Sequence, residues 1–477
     1  MSAIEEQYES IIHEKIHDKQ LRMNLKAGLN AIQKARKKFL KTKFKDWKAL
    51  CKQGEEVKKK ALGKLDILLK NFEENAGKNG MKIHWANDAK EANEIICKLA
   101  KQHQVTKILK GKSMASEEIH LNHYLKQNGI TPIETDLGEF IVQLLEEPPV
   151  HILAPAAHKN RYEIGEIFKE KLHVPLESEP EKLNNIARNY LRKEFENFKM
   201  GISGVNFALA KEGVIWLVEN EGNGRMCTTA CDIHVAICGI EKVIENFEDA
   251  SILASLLNAS AVASPISTYA NIISSPRKEG EKDGPKEVHV VLLNNNRSKM
   301  LGDSKTYTAL SCIRCGACLN HCPVYDKIGG HAYLSVYSGP IGEVISSWIF
   351  NSKNYEYLSN LCSLCGRCSE VCPVDIPLAD LIRDLRNTKV REALQDPKHA
   401  PSSYKKEFFI MREFAKAATS PKKWRFILRV LGVFRNFIPL ACFFPPLKQW
   451  VRYRTPPIIN SNIYKKMKNH KGIIYEH

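Results

Sequence analysis

The chain has 477 residues, of which 43% are hydrophobic, 26% are charged and 14 are cysteine. That length and apolar content exclude a globally disordered chain and allow two or three domains. The formal net charge of +17 is concentrated at the ends: residues 31–60 carry 12 Lys/Arg against 3 acids, and residues 401–477 carry 16 against 3.

Basic ends on a near-neutral body suit docking to an acidic partner or peripheral contact with an anionic membrane surface. A solvated helix face would explain them equally well. The start, MSAIEEQYES, holds acids and no apolar core, so no signal peptide is expected. Clustered C-x-x-C runs in such a cytoplasmic chain read as metal ligands rather than disulfides. The longest apolar stretch, Ile427 to Leu447, is interrupted by Arg429, Arg435, Pro439, Pro445 and Pro446. A spanning helix needs about 20 apolar residues, so none is predicted there.

Residues 4–77 read as helical. Leu21, Leu25, Leu29, Ile32, Phe39, Phe44, Trp47 and Leu50 recur at three-to-four spacing with Lys between them. We take residues 1–60 as a basic helical arm. Ala35 to Lys48 could mimic a nucleic-acid-binding helix, but a Lys-rich face is more often simply solvated, and no nucleic-acid partner is expected.

From Met81 strands and helices alternate. Strands are predicted at Met81–Trp85, Val105–Leu109, Ile130–Thr135 and His151–Ala154. Helices are predicted at Asp88–His103, Ser116–Lys126 and Phe140–Leu145. This spacing implies βαβ units and a mainly parallel sheet. A polar helix over Glu179–Lys199 precedes a β-rich block. Val205–Ala210 and Val214–Val218 flank the tight turn Lys211-Glu212-Gly213, and Ile233–Ile237 follows. A helix over Phe247–Ala261, an exposed loop at Pro276–Pro285 and a strand at Val288–Leu293 complete an α/β domain spanning 61–300.

Two anion sites suggest themselves in this domain. Glu221-Gly222-Asn223-Gly224-Arg225 could wrap a carboxylate or phosphate with Arg225 as the contact, or could be a hairpin turn. Gly111-Lys112-Ser113 lies between a strand and a helix, a weaker signal. No G-x-G-x-x-G follows a strand, so no nicotinamide or flavin site is argued. Cys227, Cys231, His234 and Cys238 could suggest a metal, but their spacing lacks a C-x2-C pair and favours ordinary buried thiols. Cys51, Cys97 and Cys442 read as packing residues.

Residues 301–395 carry the most specific signal. Cys312-x2-Cys315-x2-Cys318-x3-Cys322-Pro323 is repeated as Cys362-x2-Cys365-x2-Cys368-x3-Cys372-Pro373. This is the run that ligates [4Fe–4S] clusters, and in two-cluster ferredoxins the Cys before Pro serves the other cluster. Cys312, Cys315, Cys318 and Cys372 are therefore assigned to one cluster, and Cys362, Cys365, Cys368 and Cys322 to a second. Zinc does not explain a third Cys at x2 and a fourth before Pro, twice. Gly316 and Gly366 would keep side chains away from the cluster sulfurs. With no ligand left open, the pair reads as an electron relay. The long, helix-prone gap between the motifs resembles the α-helical ferredoxin domain of multi-subunit dehydrogenases. Residues 396–477 form a basic C-terminal region.

The combination of Lys112-Ser113-Met114, Glu134-Thr135-Asp136-Leu137-Gly138-Glu139, Gly201-Ile202-Ser203-Gly204-Val205-Asn206-Phe207, Glu219 to Arg225 and the paired cysteine motifs resembles the lactate utilization protein B family. Ile328-Gly329-Gly330-His331-Ala332-Tyr333 and Gly339-Pro340-Ile341-Gly342 add to it. The resemblance implies a LUD domain, similar to the sugar-phosphate isomerase and CoA-transferase-like α/β class. It also implies a part in oxidising L-lactate to pyruvate, with two [4Fe–4S] clusters, a cysteine-rich iron–sulfur subunit and a LUD-only subunit as partners, and an unidentified electron acceptor. Arg225 and Lys112 are the candidates for a substrate carboxylate contact, with the catalytic groups unassigned. The rivals are a self-contained oxidoreductase for another small 2-hydroxy acid and, more remotely, an iron–sulfur nucleic-acid binder.

Overall fold

The Lys-rich N-terminus folds as four helices: α1 (Ala3–His17), α2 (Lys19–Lys43), α3 (Trp47–Gly63) and α4 (Leu65–Lys78). Two breaks fall where an aspartate caps the next helix. Asp18 accepts the Leu21 amide and Asp46 the Ala49 amide, each at 2.9 Å. Leu21, Leu25 and Leu29 form the buried stripe of α2, while its lysines face water. That helix packs on the short helices Ala317–Asn320 and Tyr325–Ile328 beside the first cysteine motif and on the helix Phe247–Ala261.

The computed structural model describes residues 3–396 and 402–433. Its strands are β1 (Lys82–Ala86), β2 (Lys107–Lys110), β3 (Thr131–Glu134), β4 (Met200–Gly204), β5 (Phe207–Leu209), β6 (Val214–Glu219), β7 (Ile233–Gly239), β8 (Val243–Ile244), β9 (Tyr269–Ile273) and β10 (Glu287–Leu293). Six of them make one sheet in the order β1-β10-β7-β4-β2-β3, and every pair is parallel. The central strand β7 is buried along its whole length, as a parallel strand covered on both faces must be. A second sheet runs β8-β5-β6-β9, with β5 and β6 joined antiparallel across Lys211-Glu212-Gly213 as expected.

The structure differs from the sequence reading at several places, among them the unread helix Arg161–Leu172 and strand Met200–Gly204. His151–Ala154 is not a strand. His151 Nδ1 accepts the amides of Leu153 (3.0 Å) and Ala154 (3.2 Å), and Val150 N donates to Pro155 O at 3.0 Å, which ties the segment into a turn. Residues 116–126 split into the helices Met114–Glu118 and Leu121–Gln127, with His120 between them at φ 51°. The Glu221–Arg225 loop is not a hairpin. Gly222, at φ 83°, leads into the helix Asn223–Thr229. Beside β5, β6 pairs with β9, an edge strand whose alternating exposure went unread.

After β10 the chain forms short helices around the two cysteine motifs, the longest being Gly339–Ile349, and then the helix Leu378–Gln395. Residues 2–388 form one compact unit and a second begins at Lys389. The second unit contains the helices Ser402–Ala418 and Pro421–Val433. Among the described residues no helix is long and apolar enough to cross a membrane. Most of the stretch Ile427–Leu447, and Cys442, lie outside the described residues.

Candidate metal centre and adjoining cavity

The two cysteine motifs fold as near copies. In each, the residue before the second Cys and the residue after it take a left-handed backbone: Arg314 (φ 61°) and Gly316 (φ 69°), then Leu364 (φ 54°) and Gly366 (φ 79°). Each turn aims an amide at the first sulfur. Arg314 N lies 3.4 Å from Cys312 Sγ and Leu364 N 3.3 Å from Cys362 Sγ. Gly366 is thus needed for its backbone, not for room, since a Cβ there would meet nothing within 4 Å, whereas at Gly316 a Cβ would also crowd Leu153 and His151. Both then open a four-residue helix carrying the third Cys, Ala317–Asn320 or Arg367–Glu370.

The Cys before Pro feels thiols of the other loop. Burial first, and then Cys315 and Cys312, push the Cys372 thiol up. Cys322 is pushed up to about 12 by burial, with Glu343 and Cys362 among its neighbours. Cys318 is raised by burial and by Cys312, Cys315 and Cys372. Thiols crowded this way resist ionisation unless a cation binds them, which is the behaviour of a metal donor set. Backbone amides reach the fourth sulfurs too: Tyr325 N to Cys322 Sγ at 3.5 Å and Ile376 N to Cys372 Sγ at 3.4 Å. Such donors stabilise the sulfurs of an iron–sulfur cluster. The eight cysteines therefore fit iron–sulfur clusters.

Cations surround the first motif. Arg36 is buried, donates to Val371 O at 3.0 Å and feels Cys315 and Cys372. Lys58 is buried, donates to Glu241 O at 2.6 Å and is lowered to about 8 by burial. Arg297 holds Glu118 through two bonds of 2.7 Å and Glu241 through one of 2.5 Å. Tyr337 donates to the same Glu118 at 2.5 Å. Arg314 stacks over the Tyr337 ring at 4.9 Å and lies 3.7 Å from Glu241. Against the second motif stands Glu343, a buried carboxyl with neither oxygen bonded, pushed up to about 8 by burial.

A cavity of about 380 Å³ opens at the carboxyl ends of β2, β4 and β7, where ligands bind in parallel α/β sheets. Its lining includes Gly111, Lys112, Gly204, Gly239, Lys242 and, from the cysteine-bearing region, Arg314 and Tyr337. Lys112 is therefore at the cavity, although its ammonium already donates to Leu153 O at 2.5 Å and lies 3.4 Å from Asp136. Arg225 is exposed and is not among the lining residues. The amides of its loop are occupied from within, since Gly224 N and Arg225 N donate to Glu219 at 2.7 and 2.6 Å. Sequence reasoning missed Lys242, Arg314 and His151. Arg314 could have been noticed as the one charged residue between the first three cysteines. His151 Nε2 meets Asn320 Oδ1 at 2.9 Å, so the turn before the cavity is bonded to the first cysteine helix.

Among the described residues the remaining cysteines do not converge. Cys227 Sγ lies 3.4 Å from Thr135 Oγ1, Cys231 Sγ donates to the Cys227 carbonyl at 3.2 Å, and Cys238 Sγ contacts the Gly239 carbonyl at 3.5 Å. His234 pairs with Ser203 at 2.8 Å. Cys51 and Cys97 are buried.

Three family models match in succession: "LUD domain" over residues 69–293, "4Fe-4S dicluster domain" over 308–376 and "Lactate utilisation protein B, C-terminal" over 384–473. The sheet and the cysteine loops together define an iron–sulfur protein built on a LUD domain. Proteins named "Lactate utilization protein B" resemble it over most of its length. That of Lysinibacillus sphaericus is 38% identical over 89% of both chains, that of a Geobacillus species 40% over 88% of both, and that of Anoxybacillus flavithermus 43% over 74% of both. The chain belongs to the lactate utilization protein B family. A crystal structure of a "duf162 family protein" from Deinococcus radiodurans aligns with 48% of this chain and 98% of its own at 11% identity and a TM-score of 0.28.

Proposed function

We propose that this chain is the electron-transfer subunit of a multi-subunit system that oxidises L-lactate to pyruvate. Its relatives carry lactate utilization in their name, and its cysteine loops fit iron–sulfur clusters. In this reading two [4Fe–4S] clusters are held by Cys312, Cys315, Cys318 and Cys372 and by Cys362, Cys365, Cys368 and Cys322. The observation that supports it most is the influence of each loop on the other's fourth thiol, Cys315 and Cys312 on Cys372 and Cys362 on Cys322. When bound, each cluster supplies a one-electron relay site. The chain's own residues position the sulfurs, donate amides to them and shield the first loop from water.

The helices around both loops support the α-helical ferredoxin reading, and the parallel sheet supports the isomerase and CoA-transferase-like reading of the LUD domain. The partners are a cysteine-rich iron–sulfur subunit, a LUD-only subunit and an acceptor of electrons. The basic helices Ser402–Ala418 and Pro421–Val433 suit docking on an acidic surface, whether of a partner or of a membrane. Anaerobic purification followed by lactate-induced EPR tests the proposal: the clusters are reduced when the partner subunits are present. Reduction by lactate in this chain alone would favour a self-contained oxidoreductase. Cys315→Ala removes one cluster and abolishes growth on lactate, and unimpaired growth would sink the proposal.

A further inference from the structure

His331 lies in the Ile328–Tyr333 stretch between the two cysteine motifs, a run that neither motif uses. In the fold it meets a turn of the LUD domain. Its Nε2 donates to Pro148 O at 2.8 Å, and its ring stands edge-on to that of His158 with centroids 4.9 Å apart. His158 Nε2 in turn lies 2.7 Å from Glu147 Oε2. One ligand atom from each of Glu147, His158 and His331 falls within 4.8 Å of the other two.

Two imidazoles and a carboxylate are a donor set for a borderline divalent ion, zinc above all, with a position left for water. The details suit such an ion. The His331 Nε2–H bond to Pro148 O fixes the tautomer and leaves Nδ1 with its lone pair, as the outer-shell bond of a metal-bound imidazole does. His158 is buried, and its Nδ1 meets no hydrogen-bond partner, so this ring is one partner short. Burial pushes His158 down to about 4, which keeps the ring neutral at pH 7. Burial opposes the Glu147 carboxylate, yet the bond from His158 holds it below its ordinary value, so it is ionised there. Neutral imidazole and ionised carboxylate are the forms that bind metal.

The space fits an ion better than a metabolite. The cavity at these three residues holds about 100 Å³, where small-molecule pockets start near roughly 300 Å³ and one water takes about 30 Å³. Its charged lining is Asp18, Glu147 and Glu163 against Lys15 and Lys159, which leaves the acids in excess. Lys159 stands 3.6 Å from Glu147 Oε1, beyond hydrogen-bond length, and Glu163 is engaged by Asn24 at 3.1 Å and the Asn160 amide at 2.9 Å. Glu147 is therefore the carboxylate open to a further partner.

We propose that Glu147, His158 and His331 form a mononuclear site for a divalent ion of the zinc class, separate from the cysteine loops. Glu147 and His158 come from the LUD domain and His331 from the segment between the cysteine motifs. The ion is thus a staple between these two parts of the chain, on the same turn that His151 bonds to Asn320.

The test uses the full chain, prepared anaerobically with its clusters, exposed to zinc chloride and desalted. Zinc and iron are counted by mass spectrometry, and X-ray absorption at the zinc edge reads the ligands. Wild type keeps about one zinc per chain with its iron unchanged, in a shell of nitrogen and oxygen at roughly 2.0–2.2 Å without sulfur. His331→Ala and Glu147→Gln each cut the retained zinc to roughly a tenth or less, with iron content and visible absorption unchanged. Should His331→Ala lose iron as well, Glu147→Gln decides, because it keeps the shape of the side chain. No zinc on wild type would overturn the proposal. So would a sulfur shell, which places the ion in the cysteine loops, or undiminished zinc in Glu147→Gln. Each of these failures leaves the electron-transfer reading untouched, since no cysteine takes part.

Discussion

The two cysteine loops have the same spacing and the same backbone turns, yet the protein surrounds them differently. The first is enclosed. A Cβ on Gly316 would meet Leu153 and His151, and Arg36, Lys58, Lys242 and Arg314 all act on its thiols. The second is open. Cys365 is exposed, Leu364 stands where Arg314 stands in the first loop and is 40% exposed, and Glu343 brings an unpaired carboxyl to Cys362. Spacing decides which metal centre forms, and surroundings decide its electronic role. Nearby cations stabilise the more negative reduced state, and solvent access sets which centre a partner can approach.

That contrast can be broken at its buried ion network. Arg297→Met leaves Glu118 and Glu241 buried without their cation, and a loss of about 3–5 kcal/mol in urea unfolding is expected. Unchanged stability would mean that the cations around the first loop are not held as a set. The next effect is pH dependence. His151, under the first loop, is held down to about 4, by burial above all, against an ordinary value near 6.5. Above about 6.5 the ring is neutral in both the folded and the unfolded chain. Below that the unfolded chain takes up a proton that the buried ring refuses, so stability falls as the pH drops toward about 4. The slope is about 1.4 kcal/mol per pH unit for this group. Urea midpoints between neutral pH and pH 5 measure it, and His151→Gln flattens the profile. The smallest effect sharpens the contrast. Leu364→Arg, which gives the open loop its counterpart of Arg314, raises the potential of the second centre slightly, because an exposed charge is screened. Redox titration followed by EPR reads the shift, and a fall in potential would reverse the assignment of roles.

Much of this was legible in the sequence. The cysteine spacing names its chemistry unaided, and alternation from Met81 onward gives a parallel sheet. What was not legible depends on pairing across the chain. Arg297 and Glu118 are 179 residues apart, and nothing local marks either as a partner. His151–Ala154 has strand composition, but its histidine captures two backbone amides and makes a turn. The edge strand Tyr269–Ile273 has no fully buried residue, and its sequence Tyr-Ala-Asn-Ile-Ile shows no polar–apolar alternation to mark a face. The Arg225 loop has the composition of an anion site, yet Glu219 fills it from within. Lys242 followed a strand and looked like any surface lysine.

The N-terminal helices bind the C-terminal half of their own unit directly. Tyr8 donates to the Tyr333 carbonyl at 3.0 Å, Gln33 to that of Asn320 at 2.5 Å, and Arg36 to that of Val371 across 335 residues. On the ribosome, where chains grow at about 5–20 residues per second, the first helices emerge roughly a quarter of a minute to a minute before the segments that cover them. Throughout that interval the Leu21, Leu25 and Leu29 stripe stays uncovered, a surface for chaperones to hold. The oldest part of the nascent chain is thus among the last to be sealed, and the cysteine loops complete the fold that begins with it.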